Sequence, residues 1–289
     1  MSEYLLNGRI EMILKGSFDL HVHASPDPYT ERRMDALETA RHAYESEMSG
    51  FALKSHELST AQLATTLRKI YPGLNVVGSI TLNNPAGGLN PAAVEASAEI
   101  GAKVVWMPTF DSSSYRSLSS SPSSYRNLPD RMDGITLINE SGQLKLEVLD
   151  ILDVAAEHDM AVASGHVSPK ETIALFEASR DKGISKLIAT HPVGIASDSE
   201  ISDISELGAY VELTFLSCMP SVGNANPNQL AEIAKDIGVD RCVVSTDFGQ
   251  WMNPPAHEGM RMAIAALLGT GLTDEEVTKL VKDNPLKLV

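Results

Sequence analysis

The run Asp19-Leu20-His21-Val22-His23 sets two imidazoles two residues apart in a short apolar segment. Along a strand the side chains alternate faces, so both rings turn to the same side and their nitrogens can share one cation. Single metal-competent residues close other short apolar runs: His166 after Val162-Ala163-Ser164-Gly165, His191 in Ala189-Thr190-His191-Pro192, and Asp247 in Ser245-Thr246-Asp247. Three or four neutral imidazoles with one carboxylate suit a divalent metal, zinc first and manganese, iron or nickel as alternatives, with a position open to water. A cation so held lowers the pKa of water toward about 7 and polarises a carbonyl that the water attacks. Asp247 is the residue suited to take the proton and return it to a leaving group, and a neighbouring cation would lower its own pKa.

Other residues fall near the same strand ends. Lys54, in Leu53-Lys54-Ser55-His56, is a cation for an anionic substrate or a partner for a nearby acid. With His56 it would put two potential cations at one mouth, so the substrate is expected to carry negative charge. Asp19 shares strand parity with the two histidines; it is expected either to orient an imidazole from one layer deeper or to serve as a buried structural carboxylate. Asn83, Arg116 and Arg126 in loops, and Trp251 after the last strand, are candidate substrate contacts. Trp106 either lines the pocket or packs in the core.

For these residues to meet, the elements carrying them must converge. Eight strands are read at Phe18 to His23, Phe51 to Ser55, Asn75 to Thr81, Lys103 to Pro108, Met160 to Gly165, Lys186 to His191, Tyr210 to Leu216 and Arg241 to Thr246, with helical patterns between them. Eight parallel strands alternating with helices predict a (β/α)8 TIM barrel, whose strand C-terminal ends form one mouth. Ser168-Pro169-Lys170-Glu171 predicts a capped helix start, Gly183 its stop, and Thr273 to Glu276 a second capping box. In the first helix after the first strand, Met34, Leu37, Tyr44 and Met48 are expected to form the face packed on the barrel. After the fourth strand the rhythm breaks. Asp111 to Gly134 is serine-rich, with Ser113-Ser114-Tyr115-Arg116 echoed by Ser123-Ser124-Tyr125-Arg126, and reads as loop. Ile135 to Asn139, followed by Glu140-Ser141-Gly142, reads as a small strand or hairpin, so 111–142 form one excursion, a lid or a solvated loop.

The 289 residues, 43% of them hydrophobic, are expected to form a single domain spanning 1–289. A net charge of −15 argues against nucleic acid or an anionic membrane as partner but does not bear on the site, where a small-molecule substrate is expected from the metal-competent residues. No run approaches eighteen apolar residues, and Met1 to Lys15 carries Glu3, Arg9 and Glu11, so a soluble cytoplasmic protein is expected. Cys218 and Cys242 form no metal spacing and are expected to be buried thiols. Nothing in the composition decides for or against a homo-oligomer.

The pattern resembles the amidohydrolase superfamily, with His-x-His on the first strand, His on the fifth, His on the sixth and Asp on the eighth. Those positions are His21, His23, His166, His191 and Asp247, and the resemblance extends to Asn284-Pro285-Leu286-Lys287-Leu288, similar to the Asn-Pro-Ala-x-Leu closing segment. It implies one or two divalent ions per chain and hydrolysis of a carbon-nitrogen or carbon-oxygen bond in an amide, cyclic amide or lactone. Where that superfamily carries a bridging carbamylated lysine or a glutamate on the fourth strand, this chain has Val105-Trp106-Met107-Pro108-Thr109. A bridging ligand from the second strand would be Lys54 if carbamylated. Three other readings stand beside this one. A phosphoesterase would resemble the polymerase and histidinol phosphatase family, although Lys54-Ser55-His56 replaces its Thr-Asp-His and Asp247-Phe248-Gly249 its closing Asp-x-His. The others are a metal-dependent decarboxylase on the same scaffold and a non-catalytic barrel that binds a metal or metabolite. If the histidines are ligands, His21→Ala or His23→Ala strips metal from the purified protein, read as ions per chain by elemental analysis; unchanged content would remove them from the ligand set.

Overall fold

Strands buried on both faces read as continuous apolar runs, and parallel sheets covered by helices need them. In the computed structural model, which describes residues 3–117 and 134–289, eight such runs become β1 (Phe18–His23), β2 (Gly50–Lys54), β3 (Asn75–Thr81), β4 (Ala102–Trp106), β5 (Ala161–Ala163), β6 (Leu187–Ala189), β7 (Tyr210–Thr214) and β8 (Cys242–Ser245). They pair in parallel in chain order from β1 to β8, making the α/β barrel expected from the alternation. β5 and β6 are only three residues long, shorter than their apolar runs, so His166 and His191 stand in the loops beyond them.

The ring closes between β1 and β8. Asp247 N–H donates to the His21 carbonyl at 2.9 Å, and His23 N–H to the Phe248 carbonyl at 2.8 Å. Asp19 reinforces this seam: its carboxylate accepts from Thr246 N–H at 3.0 Å, from the Thr246 hydroxyl at 2.5 Å and from His21 N–H at 3.2 Å. The structural alternative for Asp19 therefore holds. Gly249 lies so close to this seam that a Cβ on it would stand 2.2 Å from the His23 carbonyl oxygen.

Helix α1 (Glu3–Leu14) precedes the barrel; α2 (Ala36–Glu45), α3 (Ala61–Ile70) and α4 (Pro91–Glu99) follow the first three strands. After β4 come α5 (Ser113–Ser117) and α6 (Leu146–Glu157); α7 (Pro169–Asp181), α8 (Asp198–Glu206), α9 (Pro227–Ile237) and α10 (Ala256–Gly269) follow β5 to β8, and α11 (Asp274–Thr278) and α12 (Asn284–Leu286) end the chain. Both expected capping boxes form, Ser168 with Glu171 and Thr273 with Glu276. Asn284 ties the chain end to the barrel by donating to the Val239 and Cys242 carbonyls, both at 2.8 Å.

Two expectations are corrected. The buried face of α2 is Ala36, Thr39, Ala40 and Ala43, while Leu37 and Tyr44 are about half exposed; Met48, beyond the helix end, packs in the core as expected. Residues 36, 40 and 43 share one helical stripe, and their small side chains let the helix approach the strands closely. The serine-rich excursion begins with the short helix α5 rather than with loop, the Ser112 hydroxyl accepting from Tyr115 N–H. Ile138 and Leu144 then pair antiparallel as the expected hairpin.

Removing the Asp19 carboxylate leaves the buried Thr246 N–H and hydroxyl without their acceptor. Asp19→Ala is expected to cost about 3 kcal/mol, because each orphaned buried donor costs about 1–3 kcal/mol, and to lower the thermal midpoint by several degrees; an unchanged midpoint would show that the backbone bonds close the ring alone.

Candidate metal centre

Alternation along β1 brings His21 and His23 to one side, with ring centroids 5.2 Å apart. The seam to β8 delivers Asp247 to both, its Oδ1 lying 3.2 Å from His21 Nε2 and 3.2 Å from His23 Nε2. One ligand atom from each residue falls within 4.8 Å of the others. Two imidazole nitrogens and a carboxylate oxygen, converging in a largely buried site, fit a divalent metal. His166 and His191 form a second pair, Nε2 to Nε2 at 3.2 Å, a separation at which two imidazole nitrogens share a proton or a cation. The backbone is strained in the loops after β6 and β8, with φ of 25° at His191 and 55° at Asp247. Gly165, at φ 62°, permits the turn before His166, where a Cβ would lie 2.2 Å from the Met107 carbonyl oxygen.

Lys54 is 1% exposed. Its Nζ lies 3.0 Å from His21 Nε2 and 4.3 Å from the centroid of the Trp106 ring. Trp106 is wholly buried and also packs on the His21 ring, so it backs the site from within the core. Two charged residues absent from the sequence-based set also converge here. Arg32, paired with Asp27 at 2.6 and 2.9 Å, brings Nη2 to 3.4 Å from His23 Nδ1. Glu212 of β7, wholly buried, lies 3.0 Å from His21 Nδ1, accepts from the Ser245 hydroxyl at 2.8 Å and accepts from His191 N–H at 3.3 Å. A charged residue inside the run Tyr210-Val211-Glu212-Leu213-Thr214 was the available signal for Glu212; Arg32 sits in a polar loop and carried none.

Burial dominates the electrostatics. It pushes the Asp247 carboxyl above its ordinary range, against the pull of His21 and Lys54. The lowering expected from a cation is therefore not produced by the protein's own groups. Burial holds His21 well below the ordinary imidazole value, Lys54 adding to the effect and Asp247 opposing it, and lowers His191 as well. Glu212 is raised by burial, and Asp19 is pushed up to about 7 for the same reason despite its bonds to Thr246.

His23, Lys54, His166, His191 and Asp247 line a cavity of about 400 Å³, with His21, Glu212 and Asp19 buried behind them. Phe110, Ser114 and Tyr115, after β4, make one wall; Val193, Ile195, Leu216 and Val222, from the loops after β6 and β7, make an apolar one. His56 lines the cavity, stacks on His23 with centroids 4.6 Å apart and bonds through Nδ1 to the Thr109 hydroxyl at 2.8 Å. Asn83 is buried behind this wall as a crossbar, donating to the His56 carbonyl and the Thr109 hydroxyl and accepting from Thr109 N–H. Arg116 pairs with Asp111 at 2.6 Å, and Trp251 is half exposed; neither side chain is among those lining the cavity. Arg126 lies outside the described residues.

With the barrel and its mouth described, the relatives can be placed. A family model described as a family of unknown function (DUF6282) matches residues 16–212, and the chain belongs to that family. The matched span holds His21, His23, His166 and His191 and ends at Glu212, before Asp247. No curated protein matches the sequence. Among solved structures, the chain is similar to an amidohydrolase from Pseudomonas aeruginosa at 13% identity and a TM-score of 0.65, over 98% of this chain and 97% of that one. It is similar to the probable dipeptidase PvdM from the same organism at 14% identity and a TM-score of 0.67, over 99% and 98% of the two chains. It is also similar to an organophosphorus hydrolase from Deinococcus radiodurans at 13% identity and a TM-score of 0.59, over 94% and 92%. The barrel expected from the amidohydrolase-like pattern is the fold these proteins share.

Proposed function

We propose that this protein is a metal-dependent hydrolase acting on a carbon-nitrogen or carbon-oxygen bond of a small, anionic metabolite. The observation that carries this reading is the convergence of His21, His23 and Asp247 at the cavity, which His23, Asp247 and Lys54 line with His21 directly behind them. His21 and His23 would hold the ion, zinc by preference, with His166 and His191 available for a second. Bound there, a divalent cation supplies acidified water and a polarised carbonyl. Asp247 Oδ1 faces both imidazoles as the ligand oxygen, which leaves Oδ2 to take a proton and pass it to the leaving group. Likenesses to an amidohydrolase and a probable dipeptidase support the bond class through the fold. Lys54 is the cation for the substrate's negative charge: the Trp106 ring beneath its Nζ favours the ammonium form over a carbamylated bridge.

Two variants test these assignments. Asp247→Asn is expected to lower kcat by about 100-fold or more, the range for a lost general base, with KM little changed; full activity in this variant would remove the proton-shuttle assignment. Lys54→Ala is expected to keep its metal while KM for carboxylated amides or lactones rises roughly tenfold relative to neutral analogues, the loss of one charge-assisted contact. Elemental analysis showing two ions per chain falling to one or none in that variant would instead make Lys54 a ligand.

A further inference from the structure

The two histidines of β1 have opposite partners. His21 Nδ1 lies 3.0 Å from Glu212 Oε1, which also accepts the Ser245 hydroxyl at 2.8 Å. Both Glu212 oxygens act as acceptors, Oε1 of the Ser245 hydroxyl and Oε2 of the His191 N–H, so Nδ1 of His21 carries the proton it gives to Oε1 and Nε2 presents its lone pair toward Asp247 and Lys54. His23 Nδ1 instead faces Arg32 Nη2 at 3.4 Å, and a guanidinium only donates. That contact is long beside the bonds from Arg32 to Asp27, so it does not set the His23 tautomer as Glu212 sets that of His21. The second oxygen of Glu212 reaches elsewhere: Oε2 accepts from the backbone N–H of His191 at 3.3 Å, at a residue whose φ of 25° needs an external hold.

We propose that Glu212 is a positioning residue that pre-sets His21 as the first metal ligand and, through the His191 backbone, couples the His21–His23–Asp247 cluster to the His166–His191 pair. The inference rests on the metal-dependent reading above. Carboxylate partners of ligating histidines fix the ring's tautomer and orientation and raise its basicity. Here one buried carboxylate serves a ligand of each group, so its loss acts on both. Glu212→Gln preserves the shape but turns an NH2 toward a donor, either the His191 N–H or the Ser245 and His21 groups.

The test measures zinc affinity by competition with a chelating dye for wild type, Glu212→Gln and Ser245→Ala, with folding checked by circular dichroism. Nitrogen-15 NMR of histidine-labelled, metal-free protein reports the His21 tautomer, assigned by the signal lost in His21→Gln. Zinc binding by Glu212→Gln is expected to weaken about 10–100-fold, against no more than about threefold for Ser245→Ala, which keeps the carboxylate. The hydrogen-bonded Nδ1 proton of His21 is expected in wild type; in Glu212→Gln it is lost, or it is kept by an amide oxygen whose NH2 then opposes the His191 N–H. Unchanged zinc affinity in Glu212→Gln beside a zinc-binding wild type, or an Nε2–H tautomer at His21 in wild type, overturns the proposal alone. Wild-type protein that takes up no zinc overturns the functional reading and the proposal together.

Discussion

Closing a barrel joins its first strand to its last, and in this protein the join is also where His21, His23 and Asp247 meet. Asp19 lies across the β1–β8 seam on Thr246, and backbone bonds from Asp247 and His23 continue it upward. Because Asp247 N–H is tied to the His21 carbonyl, the Asp247 carboxylate cannot drift from the imidazole it faces. The geometry of the centre is thus a by-product of ring closure: strain at Asp247, close packing at Gly249 and the buried Asp19 all serve one seam. Sites built on rigid elements hold their geometry better than sites built on loops.

The same floor gathers an unusual density of buried charge. Asp19, Glu212, Lys54 and the Arg32–Asp27 pair are nearly or wholly excluded from water, and each such ion costs several kcal/mol unless it is paired and hydrogen-bonded. The structure meets that cost with reciprocal contacts: Asp19 with Thr246, Glu212 with Ser245 and the His191 backbone, Arg32 with Asp27, Lys54 with the Trp106 ring. A core of apolar residues would be more stable. Concentrating charge where water is excluded is instead how a site makes electrostatic interactions strong enough for chemistry. The net charge of −15 belongs mostly to the surface, whereas at the floor Lys54 and Arg32 stand beside the histidines and Asp247.

Much of this was legible because periodicity is local. β1 and β3 match their sequence-based bounds, and strand parity alone put His21 and His23 on one side. Capping boxes at Ser168 and Thr273 are likewise fixed by residues three apart. The packed face of α2 was misread because Leu37 and Tyr44 carry more apolar surface than Ala36, Ala40 and Ala43, although only the alanines permit close approach to the sheet. Asn83 looked like a polar loop residue; its amide proved to be a crossbar joining the loops after β2 and β4, a relation no local pattern encodes.

The sequence by itself determined the alternation of strands and helices, the register that aligns His21 with His23, and the donor types that can bind a cation, because these depend on spacings of two to four residues. Tertiary structure alone decided the distances at which Asp247 meets those histidines, that Asp19 closes the ring instead of orienting an imidazole, and that an acid, Glu212, faces Nδ1 of His21 while a cation, Arg32, faces Nδ1 of His23. Those relations join residues from different strands and loops, and only the closure of the barrel sets the distance between them.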